Sequence, residues 1–403
     1  MRERITFAFL AGSAVALLIF ALLVHLKDTE LPPDLRAFYT VGTMMQRHLR
    51  YDVYTESAQQ AIKRSLSGPW TEREYYTHPP FENLIYWGLS YLPFGMAYIS
   101  WDLLNLILLT WALYLLKPFA SHFDTASRIT LLCAVLCPLI STLREGQNLV
   151  LLLLACVGAF VYLKQRREFA AGCCLGAGLF RFQFVLPVLL VFMVLKRWRI
   201  VLGTAVVGTG LGLISLALVG WTGIRHYVGL LLSLSGSTAF PDLVPAMPNV
   251  RGFVNVLLGG RIGPRYLTIV EVAVSLALLS WPILKWSRHG WNSDSKAFDL
   301  LFSLTVVVCA MVSHHSLINA PLVLTLPALL LLDRAAEAYP PGLRRWRLTA
   351  SLILMLPITI FLNVEVRNKL AFLFPVILWF AFTISGEIPK SSGKAGGGEL
   401  GSA

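Results

Sequence analysis

Apolar residues in this chain gather into long unbroken runs instead of alternating with polar ones. The first run spans residues 5–26 and is followed by a polar interlude from Lys27 to Pro80. Further runs lie at 81–95, 97–116, 128–143, 148–163, 170–180, 183–195 and 200–221, then at 266–286, 299–312, 316–332, 348–363 and 370–385. Many of these runs are roughly 15 to 25 residues long and none shows period-two alternation, which predicts helices of membrane-crossing length and excludes a strand barrel. In a bilayer every backbone polar group must find its partner within the segment, so runs of this kind are helical. The expected fold is all-α, a multi-pass transmembrane bundle of about 12 helices, carried by one domain over 1–385. Residues 27–80 form its large first outer loop.

Two stretches break the simple pattern. Within the interlude, Asp34 to Gln46 is amphipathic and predicts a helix on the membrane surface, with Leu35, Phe38, Tyr39 and Val41 turned to lipid. The stretch 170–195 has a basic cluster at each end and Arg181-Phe182-Gln183 in its middle. It therefore predicts two short helices that meet at Arg181 and leave on the side they entered. Parity adds a constraint: four apolar runs separate the outer loop from the cluster at 164, where an odd number of crossings is needed. The run 81–95 is the one expected not to cross, or to fuse with its neighbour.

Composition agrees with this class. The 403 residues are 56% hydrophobic and 14% charged, against about 25% charged in soluble domains. The net charge of +12 sits in clusters beside apolar runs: Lys164-Gln165-Arg166-Arg167, Lys196-Arg197-Trp198-Arg199 and Arg344-Arg345-Trp346-Arg347. That placement marks cytoplasmic loops and not nucleic-acid binding. The run Ile5–Leu26 then reads as an uncleaved first transmembrane helix with the 27–80 loop outside, and residues 386–403 as a disordered cytoplasmic tail. The protein is expected in the inner cell membrane. All six cysteines lie inside apolar runs, where they are most simply small core residues. No metal site or cofactor is expected, although a divalent metal beside Asp34 stays open.

Several polar groups fall at segment ends on the outer side. Asp34 is either the cap of a surface helix or a carboxylate placed to take a proton from an acceptor hydroxyl. Arg144, Arg181 and Arg251 are either snorkelling side chains or a clamp on phosphate, whose oxygens a guanidinium matches with paired bonds. His314-His315 is a polar turn or part of a site. Gln147 and Asn148, beside Glu145, have the donors and acceptors that sugar hydroxyls need. Tyr75-Tyr76 fits an interfacial aromatic belt, and Pro79-Pro80 fits a helix start.

Taken in order, these motifs resemble glycosyltransferase family 87, polyprenol-phosphate-mannose-dependent enzymes of the GT-C superfamily. The likeness rests on Asp34 after the first helix, Tyr76-Thr77-His78-Pro79-Pro80, Trp101 to Asn105 and Gly146-Gln147-Asn148. It continues through Ala171-Gly172 to Gly176 and Arg181, Asn249 to Gly252, and Ser313 to His315. One departure is Arg181-Phe182-Gln183, where the family pattern has lysine followed by proline. The resemblance implies a GT-C fold and an inverting transfer of a hexose, mannose first, from a polyprenyl-phosphate donor to a lipid or glycan acceptor on the outer face. Asp34 would be the general base. Arg181, Arg251, His314 and His315 would surround the lipid phosphate, with Arg144, Gln147, Asn148, Asn249, Tyr76 and His78 as further donor contacts. The competing class is a transporter or lipid flippase that binds an anion through its arginines. A third is a noncatalytic subunit that keeps the fold.

Overall fold

The computed structural model describes residues 33–66, 75–234, 244–315, 320–339 and 370–389. The expected first helix at 5–26, the run 348–363 and residues 390–403 of the expected 386–403 tail lie outside these, while Gly386 and Glu387, expected in that tail, are helical. Among the described residues there are fourteen α-helices and no strand. The bundle expected to hold about twelve helices therefore holds more, because several are too short to cross a bilayer.

The first outer loop contributes α1 (Pro33–Gln46) and α2 (Glu56–Ser65), followed by α3 (Asn83–Leu89). With seven residues α3 is only about 10 Å long, so the 81–95 run stays at one end of the bundle, as parity requires. The apolar face of α1 does not meet lipid. Leu35, Phe38, Val41 and Met44 are buried, while Tyr39 is half-buried with its hydroxyl donating to Leu92 O at 2.8 Å. Close approach makes this possible: a Cβ at Gly42 would stand 2.1 Å from Tyr86 O. An amphipathic pattern reports a face hidden from water, and here protein hides it.

The long helices follow: α4 (Phe94–Leu116), α5 (Thr125–Glu145) and α6 (Leu149–Lys164). The pair α7 (Glu168–Ala177) and α8 (Phe182–Val194) is joined by a 3₁₀ turn, Gly178–Arg181. Next come α9 (Trp198–Leu234), α10 (Val250–Leu258), α11 (Pro264–His289), α12 (Lys296–Val312), α13 (Thr325–Ala338) and α14 (Phe374–Glu387). Between the apolar runs 200–221 and 266–286, residues 222–234 and 250–258 are helical. Gly220, at φ +65°, breaks α9 without ending it, and a side chain there would meet the Tyr51 ring as well as a strained backbone.

Four stretches among the described residues are long and apolar enough to cross a membrane: Phe94–Phe119, Glu168–Val194, Trp198–Ser233 and Pro264–His289. The second does not cross. Arg197, just past α8, pairs with Glu168 at the start of α7 at 3.4 Å, so both ends of the stretch lie together. Lys164–Asp299 at 2.7 Å, Arg166–Asp294, His122–Asp333 at 3.2 Å and Lys296–Glu337 collect at the same end. The helix connections thereby sort into a basic end and an opposite end, and the α7–α8 turn reaches the opposite end from below.

The core centres on α12, where twelve of seventeen residues are buried. Trp286 Nε1 ties α11 to it by donating to Thr305 Oγ1 at 3.0 Å. The α7–α9 contact is closer still. A Cβ at Gly172 would lie 2.1 Å from Ile200 O, and Thr204 Oγ1 donates to Gly172 O at 2.9 Å. Without a hydrophobic drive between helices in lipid, such small-residue contacts and interhelical hydrogen bonds supply the association. Gly172→Ala is expected to lower thermal stability in detergent by about 1–3 kcal/mol through overpacking. Gly210→Ala, where an added methyl meets open space, should leave the melting temperature unchanged. Equal melting temperatures for G172A and the parent would contradict the contact.

Candidate active site

The site grows from the turn that joins α5 to α6. Gly146 ends α5 at φ +69°, and a Cβ there would lie 2.5 Å from Leu35 Cβ, so only glycine lets α1 seat on the turn. Trp101 Nε1 donates to Gly146 O at 2.8 Å. Asn105 Nδ2 donates to Trp101 O at 3.1 Å and Gln147 O at 3.4 Å. The Trp101-to-Asn105 spacing of one helical turn therefore pins the turn from α4. Two carboxamides, Gln147 and Asn148, are held buried by it.

Each carboxamide joins a cation to an anion. Gln147 Nε2 donates to Asp34 Oδ2, and Gln147 Oε1 accepts from Arg181 Nη2. Asn148 Oδ1 accepts from the same Nη2 at 3.2 Å, while Asn148 Nδ2 donates to Glu82 Oε2 at 2.7 Å. A carboxylate only accepts and a guanidinium only donates, so both amides have one productive orientation. Arg181 reaches this point because it closes the 3₁₀ turn between α7 and α8. Its Nε is buried with no partner among the described residues. The guanidinium still has hydrogen-bonding capacity for an incoming anion.

Asp34 lies in the first turn of α1 and is half-buried, open enough to meet a substrate. Its Oδ2 serves Gln147, from a segment more than a hundred residues away in sequence, which places Asp34 in the network and beyond the role of a helix cap.

Glu82 was not legible as a site residue, because it sits in a run read only as apolar. It is 2% exposed and accepts from Asn148, from Tyr86 Oη at 3.2 Å, and from His78 Nδ1 at 3.1 Å to both oxygens. The signal available was a lone carboxylate two residues after Pro79-Pro80, since ionisable groups in apolar segments are costly unless partnered.

The histidines divide. His315, just beyond α12, is within electrostatic reach of Arg181, Arg251, His314 and His78. Burial first, then nearby positive charge led by Arg181 and Arg251, pushes it down to about 3. His314 is turned outward onto Glu271 at 3.0 Å. Arg251 in α10 is buried, and burial lowers its pKa, opposed by Glu271. Asn249 is engaged in positioning. Its Oδ1 accepts from Gly252 N at 2.8 Å to cap α10, and its Nδ2 donates to Ser313 O at 2.7 Å.

Two further expected contacts have other neighbours. Arg144 is exposed and within electrostatic reach of Tyr98. Tyr76 is buried in an aromatic cluster with Phe38, Tyr54, His78 and Tyr86, and its hydroxyl donates to Pro79 O at 3.4 Å. Tyr76 thereby packs against His78.

A helical bundle with apolar spans, ending in a network of carboxylate, carboxamide and guanidinium groups, is an arrangement suited to a membrane-embedded transferase. The chain matches the family model of glycosyltransferase family 87 over residues 76–313, more than half its length. It belongs to that family and is a glycosyltransferase. No curated protein and no solved structure matches it.

His315 yields a pH prediction. Its folded value of about 3 lies below the ordinary 6.5, so between those values the unfolded chain binds a proton that the folded protein refuses. Stability from this group is therefore intact above 6.5 and declines as pH falls towards 3. Melting temperatures measured at pH 7 and pH 5 should show a smaller acid-induced drop in His315→Gln than in the parent. An equal drop would contradict the placement.

Proposed function

We propose that the enzyme transfers a hexose, mannose first, from a polyprenyl-phosphate donor to a lipid or glycan acceptor, with inversion at the anomeric carbon. The observation that carries this reading is the Gln147 bridge, which holds the Asp34 carboxylate and the Arg181 guanidinium on the two ends of one amide. Asp34 takes the proton of the acceptor hydroxyl as that oxygen attacks the anomeric carbon. The bond from that carbon to the phosphate oxygen breaks on the opposite side, and the electron pair leaves with the lipid phosphate. Arg181 and Arg251 receive the charge that develops there, with charge-assisted hydrogen bonds stronger in the transition state than before it. A phosphate leaving group needs no separate acid, so one base suffices and the second carboxylate of a glycosidase is not required.

His315, kept neutral, contributes hydrogen bonding at the phosphate without competing for the negative charge. His314 and Asn249 set the shape of that wall. The single domain 1–385 has the GT-C architecture on this reading, with membrane lipids packed against the exposed apolar residues of α11, including Tyr266, Ile269 and Leu276. The ion-paired basic clusters gather at the end away from Asp34, which by the positive-inside rule supports a site on the extracytoplasmic face of the inner membrane.

Asp34→Asn should lower transfer from a labelled polyprenyl-phosphate mannose by about 10²–10⁴-fold, the usual worth of a general base. Arg181→Lys should raise the donor KM, because an ammonium cannot span two phosphate oxygens as a guanidinium does. Undiminished turnover in D34N would remove the base assignment.

A further inference from the structure

We infer that Glu82 is a positioning residue that fixes the tautomer of His78 and so presents its Nε2 as an acceptor to a substrate hydroxyl. The inference rests on the transferase reading above and extends it to a carboxylate and an imidazole that the base mechanism leaves unused.

Four bonds converge on this one buried carboxylate. His78 Nδ1 lies 3.1 Å from each Glu82 oxygen. An ionised carboxylate only accepts, so Nδ1 donates to it, and in the neutral imidazole the lone pair then sits on Nε2. Nε2 makes no hydrogen bond among the described residues, and the His78 side chain stays 12% exposed. The ring is fixed in place by Tyr76, stacked at 5.6 Å between centroids, and by Phe38, edge-on at 4.8 Å. Phe38 stands one helical turn after Asp34, on the same face of α1. The remaining contacts hold Glu82 itself: Tyr86 Oη donates at 3.2 Å and Asn148 Nδ2 at 2.7 Å. Through Asn148 the same carboxylate also supplies counter-charge for Arg181, which makes its burial tolerable.

An imidazole oriented by a buried carboxylate is sensitive to one isosteric change. Gln at position 82 still accepts from Asn148 through its carbonyl but turns its NH₂ towards His78 Nδ1. His78 then has to protonate Nε2 and loses the acceptor. The comparable carboxylate-to-amide exchange in hydrolase triads leaves geometry intact and costs about 10⁴ in kcat.

The test uses the full-length protein in detergent with a labelled polyprenyl-phosphate mannose donor. Glu82→Gln should lower kcat by at least about 100-fold with little change in donor KM. His78→Ala should lose activity to the same degree, and E82Q should cost nothing further in the H78A background. Near-normal kcat in E82Q, or an equal added loss in the H78A background, overturns the proposal. A readout independent of activity is the ¹⁵N spectrum of histidine-labelled protein: the parent should show His78 protonated at Nδ1 and bare at Nε2. A proton on Nε2 in the parent overturns the assignment even if E82Q fails to fold. Absence of any transfer by the parent would count against the reaction, while the Glu82–His78 assignment is decided by the spectrum alone.

Discussion

Enclosing the Arg181 guanidinium in protein among apolar helices is the constraint on which the rest of the structure depends. An arginine at the centre of a membrane helix costs about 2.5–3.5 kcal/mol on insertion scales unless it faces protein or water. Three features reduce that cost here. The helix is broken at Gly178–Arg181, so the side chain leaves from a turn at the end of a hairpin. Two carboxamides accept from it, and two carboxylates, Asp34 and Glu82, stand behind those amides. Neither carboxylate pairs with Arg181 directly. A direct ion pair would neutralise the cation's charge; a relay through neutral amides holds it in place and leaves that charge for a ligand.

The relay depends in turn on backbone placement. Gln147 and Asn148 aim inward because Trp101 and Asn105 hold the Gly146 turn and because Leu35 sits where a side chain at 146 would be. Arg181 meets them because α7 packs on α9 with glycine at Gly172 and Gly203, each of whose Cβ positions would strike backbone oxygen about one bond too close. Residues with no chemistry of their own thus decide where the chemistry stands. Asn249 belongs with them, joining the start of α10 to the Ser313 turn that carries His315.

Much of the fold was legible because hydropathy runs in lipid translate directly into helices: 148–163 became Leu149–Lys164, and 128–143 became Thr125–Glu145. The basic clusters at both ends of 170–195 led to the hairpin, and Glu168–Arg197 expresses it as a contact. What hydropathy does not report is the identity of the apolar neighbour, so the face of α1 read as lipid-facing is packed on protein. Nor does a polar linker reading detect helix past a glycine break, which is why α9 runs on to Leu234. Within the site, Asp34, Gln147, Asn148, Arg181 and His315 were named as residues, but their pairing was not visible. The bond from Gln147 to Asp34 spans two distant segments, and no local pattern encodes it. Glu82 escaped because averaging over a window dilutes one carboxylate among apolar neighbours.

The central claim is that Arg181 binds donor phosphate beside the Asp34 base. Cryo-electron microscopy of the full-length protein with a nonhydrolysable polyprenyl-phosphate sugar tests it most directly. The account predicts the phosphate within hydrogen-bond reach of the Arg181 guanidinium and the sugar's anomeric carbon facing the side from which Asp34 can deprotonate an acceptor. A donor phosphate bound at the basic end, beside Lys164 and Arg197, with Arg181 still closed on Gln147 and Asn148, would contradict it.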